Sequence, residues 1–148
     1  MLETIRIGGL ELRFLQTKDE TAGSLDAFEM TVQPNARMPI AHYHDNWDET
    51  VYALSHTTTW RVDGQDVVLK PGQSIFIKRG IAHSFRNDTQ EAASCLCILT
   101  PGVLGPGYFR EVAALVAGGA PDPQKMKDIM CATDLCRSHN RRLYIPPR

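Results

Sequence analysis

Three histidines and one glutamate are the residues of this chain whose types and spacing best suit metal chemistry. His42 and His44 are two positions apart, so on an extended strand their side chains point to the same side. Glu49 follows after a short loop, and His83 lies further downstream. Imidazole and carboxylate together suit a divalent ion such as iron, manganese, nickel, copper or zinc. We therefore predict that these four residues hold one divalent metal ion per chain inside a small β-barrel.

The spacing of these residues resembles the two motifs of the cupin superfamily. His-x-His, then four residues, then Glu is similar to the first motif, and here it ends at Glu49. The second motif is matched at Gly72, Gly80, His83 and Asn87. Two positions depart from the pattern, because His56 stands where a glycine usually closes the first motif and Lys78 stands where the second usually has proline. Neither departure touches a ligand position.

The resemblance implies a jelly-roll barrel in which two histidines, one glutamate and a third histidine surround a metal ion. It also makes Glu49 the candidate catalytic residue, since a carboxylate in this position can shuttle a proton as well as bind the ion. The resemblance does not imply one activity, because this fold hosts many.

Short alternating segments separated by glycine and proline turns predict an all-β chain. The predicted strands cover residues 6–16, 24–33, 37–44, 49–54, 57–62, 65–70, 74–77, 83–87 and 92–99. The last segment is a continuous apolar run, which is typical of a strand covered on both faces. The predicted fold class is therefore all-β, a double-stranded β-helix (jelly-roll) cupin barrel with short C-terminal α-helices.

The C-terminal third of the sequence has a different pattern. Apolar residues recur at helical spacing over 108–117, and a Gly-Gly pair ends that segment. Asp122-Pro123 predicts the start of a second helix, with Asp as the N-cap and Pro at the first helical position. We predict a cupin barrel domain over residues 1–100 and a helical extension over 101–148 that packs on the barrel and is not a separate domain.

The predicted inner face of the barrel is apolar, and its composition indicates the kind of ligand. The candidate pocket residues are Val51, Ala53, Phe85, Phe28 and Met30, with His56 as a candidate polar or acid–base group. An apolar lining favours an aromatic or otherwise apolar small molecule over a phosphosugar, which would need Lys or Arg inside. Trp47 and Asp48 fall in the loop between the ligands, where a solvated position is favoured over contact with a substrate.

Composition excludes several function classes. The 148 residues carry a net charge of −1, so no basic field favours nucleic acid, and no apolar stretch reaches membrane-spanning length. The first residues lack the pattern of a secretory signal, so we expect a cytoplasmic protein. Cys95 and Cys97 are predicted to be buried thiols. Cys131, Cys136 and His139 lack a Cys-x-x-Cys pair, so a structural zinc site there is disfavoured.

Three functions follow from these features. The first is a metal-dependent enzyme that acts on an aromatic or apolar, oxygen-bearing substrate by dioxygenation, cyclisation or isomerisation, as similar cupins of the quercetinase and polyketide-cyclase type do. The second is a non-catalytic, metal-containing module that binds or senses a small molecule in the same cavity. The third is a metal-free structural barrel. We also expect a homodimer, because apolar strands and C-terminal helices offer more apolar surface than one barrel covers.

Overall fold

The structure, a computed structural model, describes residues 2–38, 41–120 and 122–125. Its elements are β1 (Thr4–Ile7), β2 (Leu10–Gln16), β3 (Asp26–Val32), β4 (Asp48–Ser55), β5 (Thr58–Val62), β6 (Gln65–Leu69), β7 (Ser74–Ile77), β8 (His83–Arg86), β9 (Ala93–Thr100) and α1 (Gly105–Ala117). These strands lie where the turn signals predict them, and the first predicted segment is divided into β1 and β2. The all-β prediction is confirmed.

The strands form two antiparallel sheets. The larger sheet has the order β1-β2-β3-β9-β4-β7, and the smaller has the order β6-β5-β8. Strands that are distant in sequence therefore lie side by side, as when β9 runs between β3 and β4. Buried side chains from both sheets form one hydrophobic core, which includes Val51 of the larger sheet and Trp60 and Phe85 of the smaller. This arrangement brings the ends of β4 and β8 together.

The two-residue period of a strand decides which side chains of β4 face the core. Glu49, Val51 and Ala53 are buried, while Tyr52 and Leu54 on the opposite face are exposed. This alternation follows the prediction, because successive side chains of a strand point to opposite faces of the sheet. It turns Glu49 inward.

Two strand predictions need correction. The segment 37–44 is not a regular strand, because among its described residues only Arg37 and His42 make isolated bridges, to Arg86 and His83 of β8. Strand β9 is not covered equally on both faces, since its residues alternate between buried and half-buried. Its central place between β3 and β4 explains the apolar composition on both faces, since neighbouring side chains cover its outer face in part.

Helix α1 closes the barrel on the side of the N-terminal strands. It begins at Gly105 rather than at the predicted residue 108, and it ends at Ala117, before Gly118. The Phe109 ring lies 5.7 Å from the ring of Phe14 and 5.4 Å from the ring of Phe28, measured between centroids. The helix is therefore held by aromatic contacts with β2 and β3.

A second helix starts where the sequence predicts it. The Asp122 carboxylate accepts a hydrogen bond of 2.8 Å from the backbone N–H of Gln124, as an N-cap residue does. The rest of that helix and the Cys131, Cys136 and His139 group lie outside the described residues. The division into a barrel and a helical extension, and the homodimer, therefore stay predictions. In the part of the chain that the structure describes, no helix is long and apolar enough to cross a membrane.

Candidate metal centre

Three separate segments of the chain supply the predicted ligands. His42 and His44 lie in the connection between β3 and β4, Glu49 is the second residue of β4, and His83 is the first residue of β8. The backbones of His42 and His83 exchange two hydrogen bonds, of 3.0 and 2.8 Å, which pair the two segments. The backbone N–H of Gly80 also donates to the carbonyl of His44 at 2.6 Å. The ligand segments are thus fixed by main-chain bonds.

The structure brings the three histidines together. One ring nitrogen of each of His42, His44 and His83 lies within 4.8 Å of the others. Their ring centroids are 4.5 to 5.0 Å apart, with no ring stacked face to face on another. Because each imidazole nitrogen offers one lone pair, a single ion between them can be bound by all three side chains.

Glu49 lies at the edge of this group. Its Oε2 atom is 3.3 Å from Nε2 of His83 and 3.7 Å from Nε2 of His44, and its side chain is 11% exposed. A carboxylate at this distance can supply a fourth ligand. It also balances the charge of a cation, which is otherwise costly to bury.

The hydrogen bond on the far side of His83 determines which of its nitrogens faces the group. Nδ1 lies 2.9 Å from the carbonyl oxygen of Ile81 and donates to it, because a carbonyl can only accept. In the neutral ring Nε2 then carries the lone pair, and this buried atom faces the Glu49 carboxylate, another acceptor, at 3.3 Å without a donor among the described residues. A buried acceptor without a donor is the arrangement expected of a metal ligand.

Charge and burial act against each other on the titratable groups. Burial would raise the pKa of Glu49, but the imidazoles of His44 and His83 hold that pKa far below its usual value. Burial lowers the pKa of His44, and Glu49 offsets this only in part. Burial would also lower the pKa of His83, but its attraction to Glu49 raises it. Glu49 is therefore ionised, and His44 is neutral and ready to bind.

These observations fit a divalent metal ion. The three histidines and Glu49 combine nitrogen and oxygen donors that suit iron, manganese, nickel, copper or zinc. Four protein ligands leave one or two positions open on a five- or six-coordinate ion, which is typical of a site that binds a further molecule.

Trp47 does not lie in a solvated loop, as the polar residues around it had indicated. It is 1% exposed, and its indole stacks on the imidazole of His44 with centroids 4.2 Å apart and an interplanar angle of 25°. Its Nε1 atom is buried and has no hydrogen-bond acceptor among the described residues. Stacking on the flat ring of His44 and packing in the hydrophobic core remove the indole from water, and this is the physical reason for the correction.

Asp48 is also more constrained than predicted. Its carboxylate accepts hydrogen bonds from the backbone N–H of Arg79 at 2.8 Å and from two guanidinium nitrogens at 3.2 and 3.0 Å. These bonds join the start of β4 to the turn between β7 and β8. The two segments that carry Glu49 and His83 are thereby linked a second time.

Most of the predicted pocket residues lie in the core between the sheets. Val51, Ala53 and Phe85 are buried there, and the Phe85 ring is 4.9 Å from the ring of Trp60. Phe28 and Met30 are buried too, but Phe28 packs on Phe14 and so belongs to the cluster under α1. Cys95 and Cys97 are free, buried thiols, as predicted.

His56 lies at the surface. It is exposed at the turn between β4 and β5 with a positive φ of 53°, and its Nε2 atom lies 3.1 Å from the carboxylate of Glu91. The turn keeps the left-handed backbone that glycine adopts most readily, which accounts for the usual glycine of the motif. The side chain of His56 is thus paired with Glu91, just before β9, and its proposed role as an acid–base group stays a prediction.

Comparisons with known proteins agree with this fold. The Cupin domain family matches residues 28–99. A stretch of 77 residues, 52% of this chain, is 32% identical to quercetin 2,3-dioxygenase of Bacillus subtilis (strain 168). The matched stretch covers only 22% of that enzyme's length, so the similarity concerns one part of it.

Two solved structures share the architecture. The polyketide cyclase RemF from Streptomyces resistomycificus is 24% identical with a TM-score of 0.59, over 67% of this chain and 73% of that chain. The cupin domain of an XRE-family transcriptional regulator from Enterobacter cloacae is 22% identical with a TM-score of 0.55, over 62% of this chain and 96% of that chain. The family match and both motifs support a place for this chain in the cupin superfamily, and its strands have the jelly-roll arrangement of the similar structures.

Proposed function

We propose that the protein is a metal-dependent enzyme that acts on an aromatic or apolar, oxygen-bearing small molecule. The observation that carries this proposal is the convergence of His42, His44, His83 and Glu49 beside an inner face of hydrocarbon side chains. The nitrogen and oxygen donors suit a divalent ion, and the apolar neighbours suit an uncharged ring.

The similar proteins support this choice of substrate class. One relative is named for its action on quercetin, and one structural neighbour is named as a polyketide cyclase. Dioxygenation, cyclisation and isomerisation each need an oxygen atom of the substrate to be held and polarised. We infer one of these reactions for the chain.

The roles of the side chains follow from their surroundings. The three imidazoles would hold the ion, which supplies polarisation of a substrate oxygen when it is bound. Glu49 is buried and its Oε2 atom lies 3.3 Å from Nε2 of His83, so the carboxylate would be within reach of a substrate at the ion and could accept a proton from its hydroxyl or carbon and return it later. Val51, one position along the inner face of β4, keeps water away from that carboxylate.

A second function has its own support. A cupin domain of a transcriptional regulator has the same fold, and such a domain need not turn over what it binds. In that case the site would hold a metal ion and a small molecule, and Glu49 would only bind the ion.

Turnover by the metal-loaded protein separates these functions. The protein is reconstituted in parallel with iron, manganese, nickel, copper or zinc, and oxygen consumption and product formation are followed with a panel of flavonols, catechols and 1,3-dicarbonyl compounds. We expect turnover by at least one metal form, and its loss in Glu49→Gln. Binding without turnover across the panel would favour the sensing module, and turnover by protein stripped of metal would contradict the proposal.

A further inference from the structure

Both tryptophans of this chain are buried, but only one of them has a hydrogen-bond acceptor for its indole N–H among the described residues. Trp60 donates its indole N–H to Oγ1 of Thr58 at 3.0 Å. Trp47 is equally buried at 1% exposure, and no described residue accepts its N–H. Burial of a donor without an acceptor destabilises the folded state. The contrast indicates that the Trp47 donor serves an acceptor that does not belong to this part of the protein.

The position of Trp47 indicates where that acceptor lies. The indole is rigid and stacks on His44, with 4.2 Å between the centroids, so Trp47 lies directly against one member of the three-histidine group. His44 in turn is 3.7 Å from Glu49. A molecule bound beside His44 would thus lie close to the indole of Trp47, whose N–H has no acceptor among the described residues.

We propose that the Trp47 N–H donates a hydrogen bond to an oxygen atom of the ligand that binds beside His42, His44 and His83. This inference rests on the proposed function, because it requires an oxygen-bearing small molecule at that site. A phenolate, enolate or carbonyl oxygen accepts such a bond, whereas an apolar molecule of the same shape leaves the buried donor unpaired. Trp47 is then a specificity-determining residue that selects for oxygen at one position of the ligand.

Nuclear magnetic resonance tests the hydrogen bond without a change to Trp47. Zinc-loaded, nitrogen-15-labelled protein is titrated with 4-nitrocatechol, an aromatic probe with two adjacent oxygen atoms. The indole N–H signals of Trp47 and Trp60 are distinguished by the variant Trp60→Phe. We expect the Trp47 signal to move downfield with saturation while the Trp60 signal, already hydrogen-bonded to Thr58, stays in place. Saturable binding of the probe without movement of the Trp47 signal would overturn the inference.

The affinity of the probe gives a second, independent readout. Trp47→Phe keeps an aromatic ring against His44 and removes only the donor, and Trp60→Phe is the matched control. We expect Trp47→Phe to keep its zinc and to raise the Kd roughly 5- to 100-fold, while Trp60→Phe leaves the Kd unchanged. An unchanged Kd in Trp47→Phe would overturn the inference, as would loss of zinc in that variant, which would mean that Trp47 acts only by positioning His44.

The outcomes also separate this inference from the proposed function. If zinc-loaded wild-type protein fails to bind the probe, both are contradicted. If Trp47→Phe weakens binding but no substrate is turned over, the role of Trp47 stands and the site is that of a binding module. If turnover is found and the Trp47 signal never responds to bound probe, only the role of Trp47 is lost.

Discussion

Two regions of the barrel are buried to a similar degree but are built in opposite ways. Around Glu49 and His83 the buried groups are polar, the backbone that supplies His42 and His44 is irregular, and a ring nitrogen lacks a partner among the described residues. Around Phe14 the buried groups are hydrocarbon rings from two strands and α1, with centroids 5.2 to 5.7 Å apart.

This difference indicates which region stabilises the fold and which is available for binding. Aromatic burial removes apolar surface from water, and ring pairs add about 0.5–1.5 kcal/mol each. Buried polar groups are costly until a cation or ligand satisfies them. The aromatic region therefore stabilises the barrel in all states, whereas the histidine region gains its stability from what it binds.

The largest expected effect is loss of metal from the histidine region. His83→Ala removes a ligand whose orientation is set by Ile81 and leaves a polar gap beside Glu49, so we expect metal content to fall severely. His42→Ala and His44→Ala should do the same. Metal content is measured by elemental analysis after dialysis.

The matched control is a histidine outside this region. His56→Gly should keep the metal content of the wild type, because His56 is exposed and paired with Glu91. If His83→Ala retained as much metal as His56→Gly, His83 would not be a ligand.

A substitution in the aromatic region should lower the stability of the fold without changing its metal content. Phe14→Ala removes a ring that contacts Phe28 and Phe109, so we expect the free energy of unfolding to fall by about 3–5 kcal/mol. Metal content per folded chain should stay unchanged. Denaturant unfolding and elemental analysis check the two expectations, and loss of metal with unchanged stability would contradict the division between the regions.

The pH dependence should differ between metal-free and metal-loaded protein. The pKa of His83 is raised in the folded protein, so its contribution to stability is present below its ordinary value near ~6.5 and is lost as pH rises through the raised pKa. The lowered pKa of His44 acts in the opposite sense, because its folded form resists protonation as pH falls below ~6.5.

Metal binding changes this balance because it requires neutral histidines and releases their protons. We expect the difference in Tm between metal-loaded and metal-free protein to widen as pH rises from about 5.5 to about 8 and to shrink sharply below about pH 6. Thermal unfolding across this range provides the measurement. A difference that stays constant with pH would mean that the histidines do not bind the ion.

The smallest expected effect lies at the turn that departs from the cupin motif. His56→Gly relieves a positive φ but gains freedom in the unfolded chain, so we expect a change in the free energy of unfolding within about 1 kcal/mol. Denaturant unfolding at neutral pH measures it. A loss of several kcal/mol would show that the contact with Glu91 stabilises the barrel far more than an exposed pair usually does.

The sequence predicts those features that depend on local pattern. Strand period turns Glu49 and Val51 inward, and the spacing of the motif residues identifies the histidines that the fold brings together. The first follows from a short-range rule, because side chains two residues apart on a strand share a face. The second is expected from the resemblance to the cupin motifs, since His83 is distant in sequence from His42 and His44.

The features that the sequence does not predict depend on contacts between distant segments. Trp47 stands among polar residues and is typical of a solvated loop, but in the fold it joins the hydrophobic core formed by distant strands, with its ring stacked on that of His44. His56 comes directly after β4, but it adopts a positive φ of 53° in the turn that follows, and its side chain is exposed. Neither outcome has a signal in composition or period.

Metal content of the wild-type protein tests the central claim most directly. Untagged protein is purified without chelator and examined by elemental analysis, and stripped protein is then titrated with iron, manganese, nickel, copper and zinc. We expect about one divalent ion per chain, held by His42, His44, His83 and Glu49, with tight rebinding after removal. Protein that is isolated without metal and takes up none of these ions at neutral pH would contradict the claim.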